Sequence, residues 1–164
     1  MPARTICPDQ HPSREVTVIR GKRPDIAFTP AVQALQEQHG SRSAYARQRV
    51  APDADTGMGE REAAFLANAN SFYLATVSET GWPYVQHRGG PRGFLKVIGP
   101  KRLAYADFRG NRQFVSAGNT AGDDRVSIIV MDYTQQRRLK ILGRLRFVAP
   151  EKANETLLRA VELP

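Results

Sequence analysis

Cationic side chains and glycines alternate between Gln86 and Lys96, where the sequence reads QHRGGPRGFLK. The glycines let the backbone approach a ligand closely and expose its N–H donors. The guanidinium group of an arginine matches phosphate oxygens as a planar fork, and a lysine supplies a point charge. This combination indicates an anion site, whose charged or titratable members are His87, Arg88, Arg92 and Lys96.

A second cationic stretch, DFRGNRQ, follows at Asp107–Gln113. It leads into a predicted helix over Asn111–Gly118, with Arg109 and Arg112 near the helix start. Free N–H groups and the macrodipole make a helix N-terminus attractive to anions. Two such stretches, joined by a short β-hairpin, can converge on one dianion. A solvated basic face explains the same charges equally well, so the residues alone leave both interpretations open.

The chain as a whole is basic, since its 164 residues carry a formal net charge of +8. This length suits a single domain. The charge attracts nucleic acid, acidic lipid and phosphorylated small molecules alike. No apolar run is long enough to predict a membrane-spanning helix, and the N-terminal sequence has no apolar signal core. Cys7 is the only cysteine, so we expect no internal disulfide and a reducing, cytoplasmic location.

Pro, Gly and apolar residues divide the chain into an arm and one domain over residues 29–164. Residues 1–28 predict an extended N-terminal arm with room for a short strand at Glu15–Arg20. Residues 29–68 predict a helical lead-in, in which Thr29 caps a helix that ends at Gly40. Residues 71–148 predict a barrel, and residues 151–161 predict a C-terminal helix.

Six strands are predicted within residues 71–148, which favours a closed or nearly closed antiparallel barrel without exposed edges. Arg125–Met131 is a continuous apolar run, which predicts burial on both faces, and Gly143 predicts a β-bulge. The strand bounds are Ser71–Val77, Trp82–Arg88, Phe94–Ile98, Arg102–Ala106, Arg125–Met131 and Leu139–Val148. The predicted core consists of Phe65, Phe72, Leu74, Val126, Ile128, Val130, Ile141 and Leu145.

Three segments in this order resemble the pyridoxamine 5′-phosphate oxidase-like, FMN-binding split-barrel superfamily, and its bacterial branch in particular. They read SFYLATVSETGWPYVQHRGGPRGFLKV, LAYADFRGNRQFVSAGN and RVSIIVMDYTQQRRLKILGRLR. The similarity extends from about Glu60 to Val148. It implies a mainly β (α+β) fold, a six-stranded antiparallel split β-barrel with flanking helices. It also implies FMN as cofactor and a homodimer that holds the cofactor between its subunits.

The resemblance further implies which residues hold the cofactor. Its phosphate-binding run reads Ser-Arg/Lys-Lys, where this chain has Gly110-Asn111-Arg112. The late-strand position of a flavin-contacting Gln lies here near Arg137-Arg138. These departures argue against pyridoxamine phosphate oxidation itself. The implied cofactor-binding residues are His87, Arg88, Lys96, Tyr105, Gly110, Asn111, Arg112, Gln113 and Arg138.

The leading functional hypothesis is an FMN-dependent oxidoreductase that acts on a small molecule. The flavin carries the redox chemistry, so no protein nucleophile is required, and no catalytic residue or metal ligand is predicted. A deazaflavin (F420) reductase is one alternative. A non-enzymatic flavin- or haem-binding stress or sensor protein is another. A nucleic-acid-binding module ranks last, because the cations lie among glycines rather than along a continuous face.

Overall fold

The computed structural model describes residues 10–18, 26–49, 57–108 and 110–161. A short 3-10 turn at Pro150–Lys152 precedes the last helix. The helices are α1 (Pro30–Gln38), α2 (Arg42–Arg49), α3 (Glu60–Ala67), α4 (Val115–Gly122) and α5 (Glu155–Val161). The strands are β1 (Gln10–Val18), β2 (Ser71–Val77), β3 (Pro83–Gly89), β4 (Lys96–Gly99), β5 (Arg102–Phe108), β6 (Arg125–Asp132) and β7 (Arg137–Val148).

All seven strands belong to one antiparallel sheet in the order β3-β2-β6-β7-β1-β5-β4. The hairpins β2–β3 and β6–β7 form one half, and the hairpin β4–β5 forms the other. The sheet does not close between its outer strands β3 and β4. The predicted mainly antiparallel split barrel with flanking helices is therefore confirmed, while full closure is not observed.

The strand β1 joins the two halves, because it pairs with β7 on one side and β5 on the other. Its partners include Val148 opposite Ser13 and Phe108 opposite Gln10. Residues 10–18 of the predicted N-terminal arm are thus a central strand of the sheet. Although the predicted boundary between arm and domain lies at residue 28, residues 10–18 belong to the same sheet as the domain.

The main core lies on the inner face of the sheet, and the predicted core residues are confirmed. Strict alternation in β2 buries Phe72, Leu74 and Thr76 and leaves the residues between them half-buried. The end of this core is closed by α3, with Leu66 fully buried and Phe65 packed against the cluster. A second, smaller cluster lies on the other face of β5, where α5 covers it.

Two expectations for the β6–β7 hairpin are wrong. Burial alternates along β6, so Arg125–Met131 is buried on one face only, and its other face includes the half-buried Ile129. Gly143 forms no bulge, because its pairing with Val126 continues an unbroken register along the hairpin. Residues opposite each other in this register share a face, so β7 points Arg138, Lys140 and Leu142 outward.

Candidate functional site

Arg88 lies on the inner face of β3, where it forms an ion pair with Asp107 at the end of β5. The Nη1 atom of Arg88 donates to Oδ1 of Asp107 at 2.5 Å. Their side chains are only 15% and 10% exposed. Each of these two buried charges compensates the other, because a buried charge without a partner is strongly destabilising. The buried Nε of Arg88 has no hydrogen-bond partner among the described residues, so one donor of this cation is unsatisfied.

The helix α4 is attached to β3 and to the neighbouring strand β2 by polar contacts. The hydroxyl of Ser116 donates to Oε1 of Gln86 at 2.7 Å, and Nδ2 of Asn119 donates to the Thr76 hydroxyl at 2.9 Å. Gln86 and Arg88 are neighbours on one face of β3. Asp107 and Ser116 therefore both contact this face of β3. We call residues 110–114 the pre-helix loop.

The pre-helix loop has an unusual backbone. Gly110, Arg112 and Phe114 all have positive φ angles, of 48°, 57° and 55°. The side chain of Asn111 closes a turn by accepting a hydrogen bond from the Gln113 N–H at 3.2 Å. Left-handed conformation costs free energy in residues other than glycine. Function is a common reason for retaining such strain, which makes this loop a candidate ligand contact.

The loop also changes where the helix begins. The predicted helix Asn111–Gly118 is wrong in its bounds, because α4 runs from Val115 to Gly122. The left-handed residues and the Asn111 turn keep the chain out of the helical conformation until Val115. No side chain caps α4 at Phe114. The first N–H groups of the helix are therefore available to an anion in addition to the loop's own donors.

Five of the nine predicted cofactor residues belong to this region. Arg88 contacts Asp107 before the exposed pre-helix loop, and Gln86 contacts Ser116 after it, while the loop itself supplies Gly110, Asn111, Arg112 and Gln113. Arg109 lies outside the described residues. The combination of amide, guanidinium and backbone N–H donors beside a partly satisfied buried arginine fits a phosphate group.

Lys96 and Tyr105 lie elsewhere. Lys96 pairs with Ala104, which belongs to the small cluster under α5. Side chains alternate between the two faces along β5, and Asp107 is three residues from Ala104, so these two side chains lie on opposite faces. Lys96 shares the face of its partner Ala104 and therefore lies on the face opposite the Arg88–Asp107 pair. Tyr105 is 1% exposed and packs edge-on against Phe72, with ring centroids 5.1 Å apart. Tyr105 is thus a core residue in this structure.

His87 and Arg138 lie on the outer face of the sheet. The His87 ring packs edge-on against Tyr73 with centroids 5.5 Å apart, and the register continues from Tyr73 through Ile129 to Lys140. The hydroxyls of Tyr73 and Tyr133 are 3.5 Å apart. This hydrogen bond raises the pKa of Tyr133, because it stabilises the protonated phenol.

Arg138 lines a cleft that no sequence pattern indicated. We call it the hairpin cleft, because it lies between α3 and the β6–β7 hairpin. Its cationic lining comes from three separate segments, so no single sequence motif contains it. These residues are Arg61 from α3, Arg92 from the β3–β4 connection, Arg137 and Arg138 at the start of β7, and Lys140 further along it.

The described residues contain no group of three His, Cys, Asp or Glu side chains that could hold a metal ion. None of the described helices is long and apolar enough to cross a membrane.

The open, antiparallel sheet with its flanking helices defines a class of small, mainly β split-barrel proteins. Comparison with family profiles identifies the class further: the pyridoxamine 5′-phosphate oxidase profile matches residues 58–162. The match covers well over half of the chain, and the protein belongs to this family. No curated protein and no solved structure matches the chain.

Proposed function

We propose that this protein binds FMN and serves as an oxidoreductase for a small molecule. The observation that carries the proposal is the pre-helix loop beside Arg88, in a chain that belongs to the pyridoxamine 5′-phosphate oxidase family. A bound flavin supplies the two-electron redox chemistry.

The pre-helix loop is suited to the phosphate end of the cofactor. Asn111, Arg112 and Gln113 are exposed and present amide and guanidinium donors. The uncapped start of α4 adds backbone N–H groups, which favour a dianion. Asp107 holds the Arg88 guanidinium in place and neutralises part of its charge. Lys96 has no part in this arrangement within one protomer, because it lies on the opposite face of the sheet.

A homodimer is the second part of the proposal. Its proposed interface is the part of the outer face of β3, β2, β6 and β7 that lies around Val85, towards the β2–β3 turn and away from Arg138. Val85 is 60% exposed there, and its cross-strand row continues through the half-buried Ala75 to Ser127 and Leu142. A two-fold axis would bring this face against itself. The charge change in Val85→Lys should convert a dimer into monomers in light scattering, whereas Thr80→Lys in the exposed β2–β3 turn should not. A wild-type monomer would contradict the interface.

The absorption spectrum of the purified protein, with and without added FMN, tests the cofactor. We expect the flavin bands to shift on binding and flavin fluorescence to change in a saturable titration. A parallel titration with F420 separates the two flavin-type cofactors. The proposal fails if FMN does not bind, and turnover with nicotinamide donors or oxygen separates an enzyme from a carrier. The lone cysteine supports the cytoplasmic location that we also propose.

A further inference from the structure

The hairpin cleft consists of two adjoining lobes. The larger lobe has a volume of about 830 Å³ and extends towards Arg92 and the turn between β6 and β7. The smaller lobe, of about 570 Å³, extends along β7 to Lys140. Arg61, Phe65 and Arg137 line both lobes and mark the place where they meet. Each lobe is larger than a single inorganic phosphate requires.

The unpaired charge of the cleft is positive. Its acidic residues are Asp132, which pairs with Arg137 at 3.5 Å, and Glu62, whose carboxylate accepts a hydrogen bond from the Gly59 N–H at 3.1 Å. The remaining cations have no ion-pair partner among the described residues, and they are Arg61, Arg92, Arg138 and Lys140. With Arg137 included, five cations and two carboxylates line this cleft, so its net charge is positive and raises the local concentration of anions.

The spacing of these cations favours adjacent anionic groups over one isolated group. Arg138 and Lys140 are two residues apart on the outer face of β7, about 7 Å along the strand. Arg61 lines the same lobe from α3 on the opposite side. The guanidinium of Arg137, which lines both lobes, lies 5.9 Å from the Phe65 ring centroid.

The larger lobe adds uncharged hydrogen-bonding groups and one aromatic ring. Tyr133 is 68% exposed, so its ring is open to a ligand. The amide and hydroxyl side chains in this lobe are Asn68, Asn70, Ser71, Thr134 and Gln135. Such groups suit the sugar and base of a nucleotide, whereas the cations suit its phosphates.

We infer that the hairpin cleft binds a small molecule with adjacent phosphate groups, of the nucleoside diphosphate type. This site is separate from the proposed FMN site. Arg88 is on the inner face of β3, whereas Arg138 is on the outer face of β7, and the strands β2 and β6 lie between them. The two ligands are therefore expected to bind independently.

Calorimetric titration of the full chain with ADP, pyrophosphate and inorganic phosphate tests the inference, with and without saturating FMN. We expect ADP and pyrophosphate to bind much more tightly than phosphate, with an affinity that falls as salt rises and that FMN does not change. A tighter affinity for ADP than for pyrophosphate would show that the amide and hydroxyl side chains of the larger lobe contact the nucleoside. Failure of both diphosphates to bind, or competition by FMN, would overturn the inference.

Arg61→Gln and Lys140→Gln are the variants that locate the ligand, and each should weaken ADP binding about ten-fold or more. Arg159→Gln is the matched control, because it removes the same charge from an exposed pair with Glu155 on α5. Circular dichroism verifies that each variant folds. Equal loss in all three variants would indicate a general charge effect and contradict a site in the cleft.

The outcomes for the two proposed sites are distinguishable. ADP binding in a protein that fails to bind FMN would refute the proposed function and leave this inference standing. FMN binding without binding of either diphosphate would do the reverse. Binding of a single-stranded oligonucleotide without ADP binding would replace the small molecule with a nucleic acid and overturn the inference as stated.

Discussion

The pre-helix loop and the hairpin cleft both concentrate positive charge, but they do so in different ways. At the loop, the nearest buried cation is already compensated, because Arg88 is paired with Asp107, and backbone conformation provides much of the binding chemistry. At the cleft, four exposed cations (Arg61, Arg92, Arg138 and Lys140) have no ion-pair partner among the described residues. The difference shows that a count of Arg and Lys residues says little until the partners of each are known.

The largest effect that we predict concerns the compensated cation. Asp107→Ala should lower the free energy of unfolding by about 3 kcal/mol, because it leaves the Arg88 charge buried without its partner. Urea denaturation measures this change. Asp124→Ala is the control, since its pair with Arg144 is about half exposed and should contribute less than about 1 kcal/mol.

The double variant Arg88→Met with Asp107→Leu sharpens the same prediction. Apolar side chains of similar size need no charge compensation, so stability should recover most of the loss. Equal losses for Asp107→Ala and Asp124→Ala would show that the contrast between a buried and an exposed pair is wrong.

The second prediction concerns the cations that were expected to act together. Arg112→Gln should weaken FMN binding about ten-fold, because it removes a charged hydrogen-bond donor from the pre-helix loop. Lys96→Gln is the matched control and should leave the FMN affinity nearly unchanged, since Lys96 lies on the opposite face of the sheet. Flavin fluorescence titration measures both. A larger loss in the Lys96 variant would reverse our assignment of the phosphate contact.

The third prediction concerns the strain in the loop. Phe114→Asn should raise the free energy of unfolding by about 0.5–1 kcal/mol, because asparagine tolerates the left-handed conformation better than phenylalanine. Phe114 is 57% exposed, so little packing is lost. Phe147→Asn is the comparison: Phe147 is also partly exposed but lies in β7 without a positive φ, so this change should not stabilise. Thermal unfolding of the two variants decides the point.

The smallest predicted effect is at the mouth of the hairpin cleft. Tyr73→Phe should return the pKa of Tyr133 towards its usual value near 10, because the hydrogen bond that raises it is lost. The raised pKa means that the contribution of this pair to stability is present below that value and is lost as the pH rises above it. Ultraviolet titration of the phenols measures the shift. An unchanged pKa of Tyr133 in the variant would show that the two hydroxyls are not coupled.

Strand patterns in the sequence were the most reliable guide to the fold. Alternation along Ser71–Val77 predicted β2 with its observed bounds, and the core residues Phe72 and Leu74 followed from the same period. The apolar run in β6 gave a wrong prediction of burial on both faces, because the outer face of this strand is half-buried and also carries the apolar residues Ile129 and Met131. The start of α4 was misplaced because no propensity scale anticipates left-handed Arg112 and Phe114.

The sequence by itself determined the antiparallel strands, their inner apolar faces and a family resemblance that the profile match at residues 58–162 confirms. These depend on local periodicity and on residue order, which a chain carries without its tertiary structure. Only the tertiary structure decided which partner each charged side chain has and on which face of the sheet it lies. Asp107 compensates Arg88, the sheet separates Lys96 from both, and Arg61 meets Arg138 in a cleft. These outcomes depend on which strands pair and on which face each side chain lies. Both involve residues that are far apart in the sequence, so no single segment of the sequence determines them.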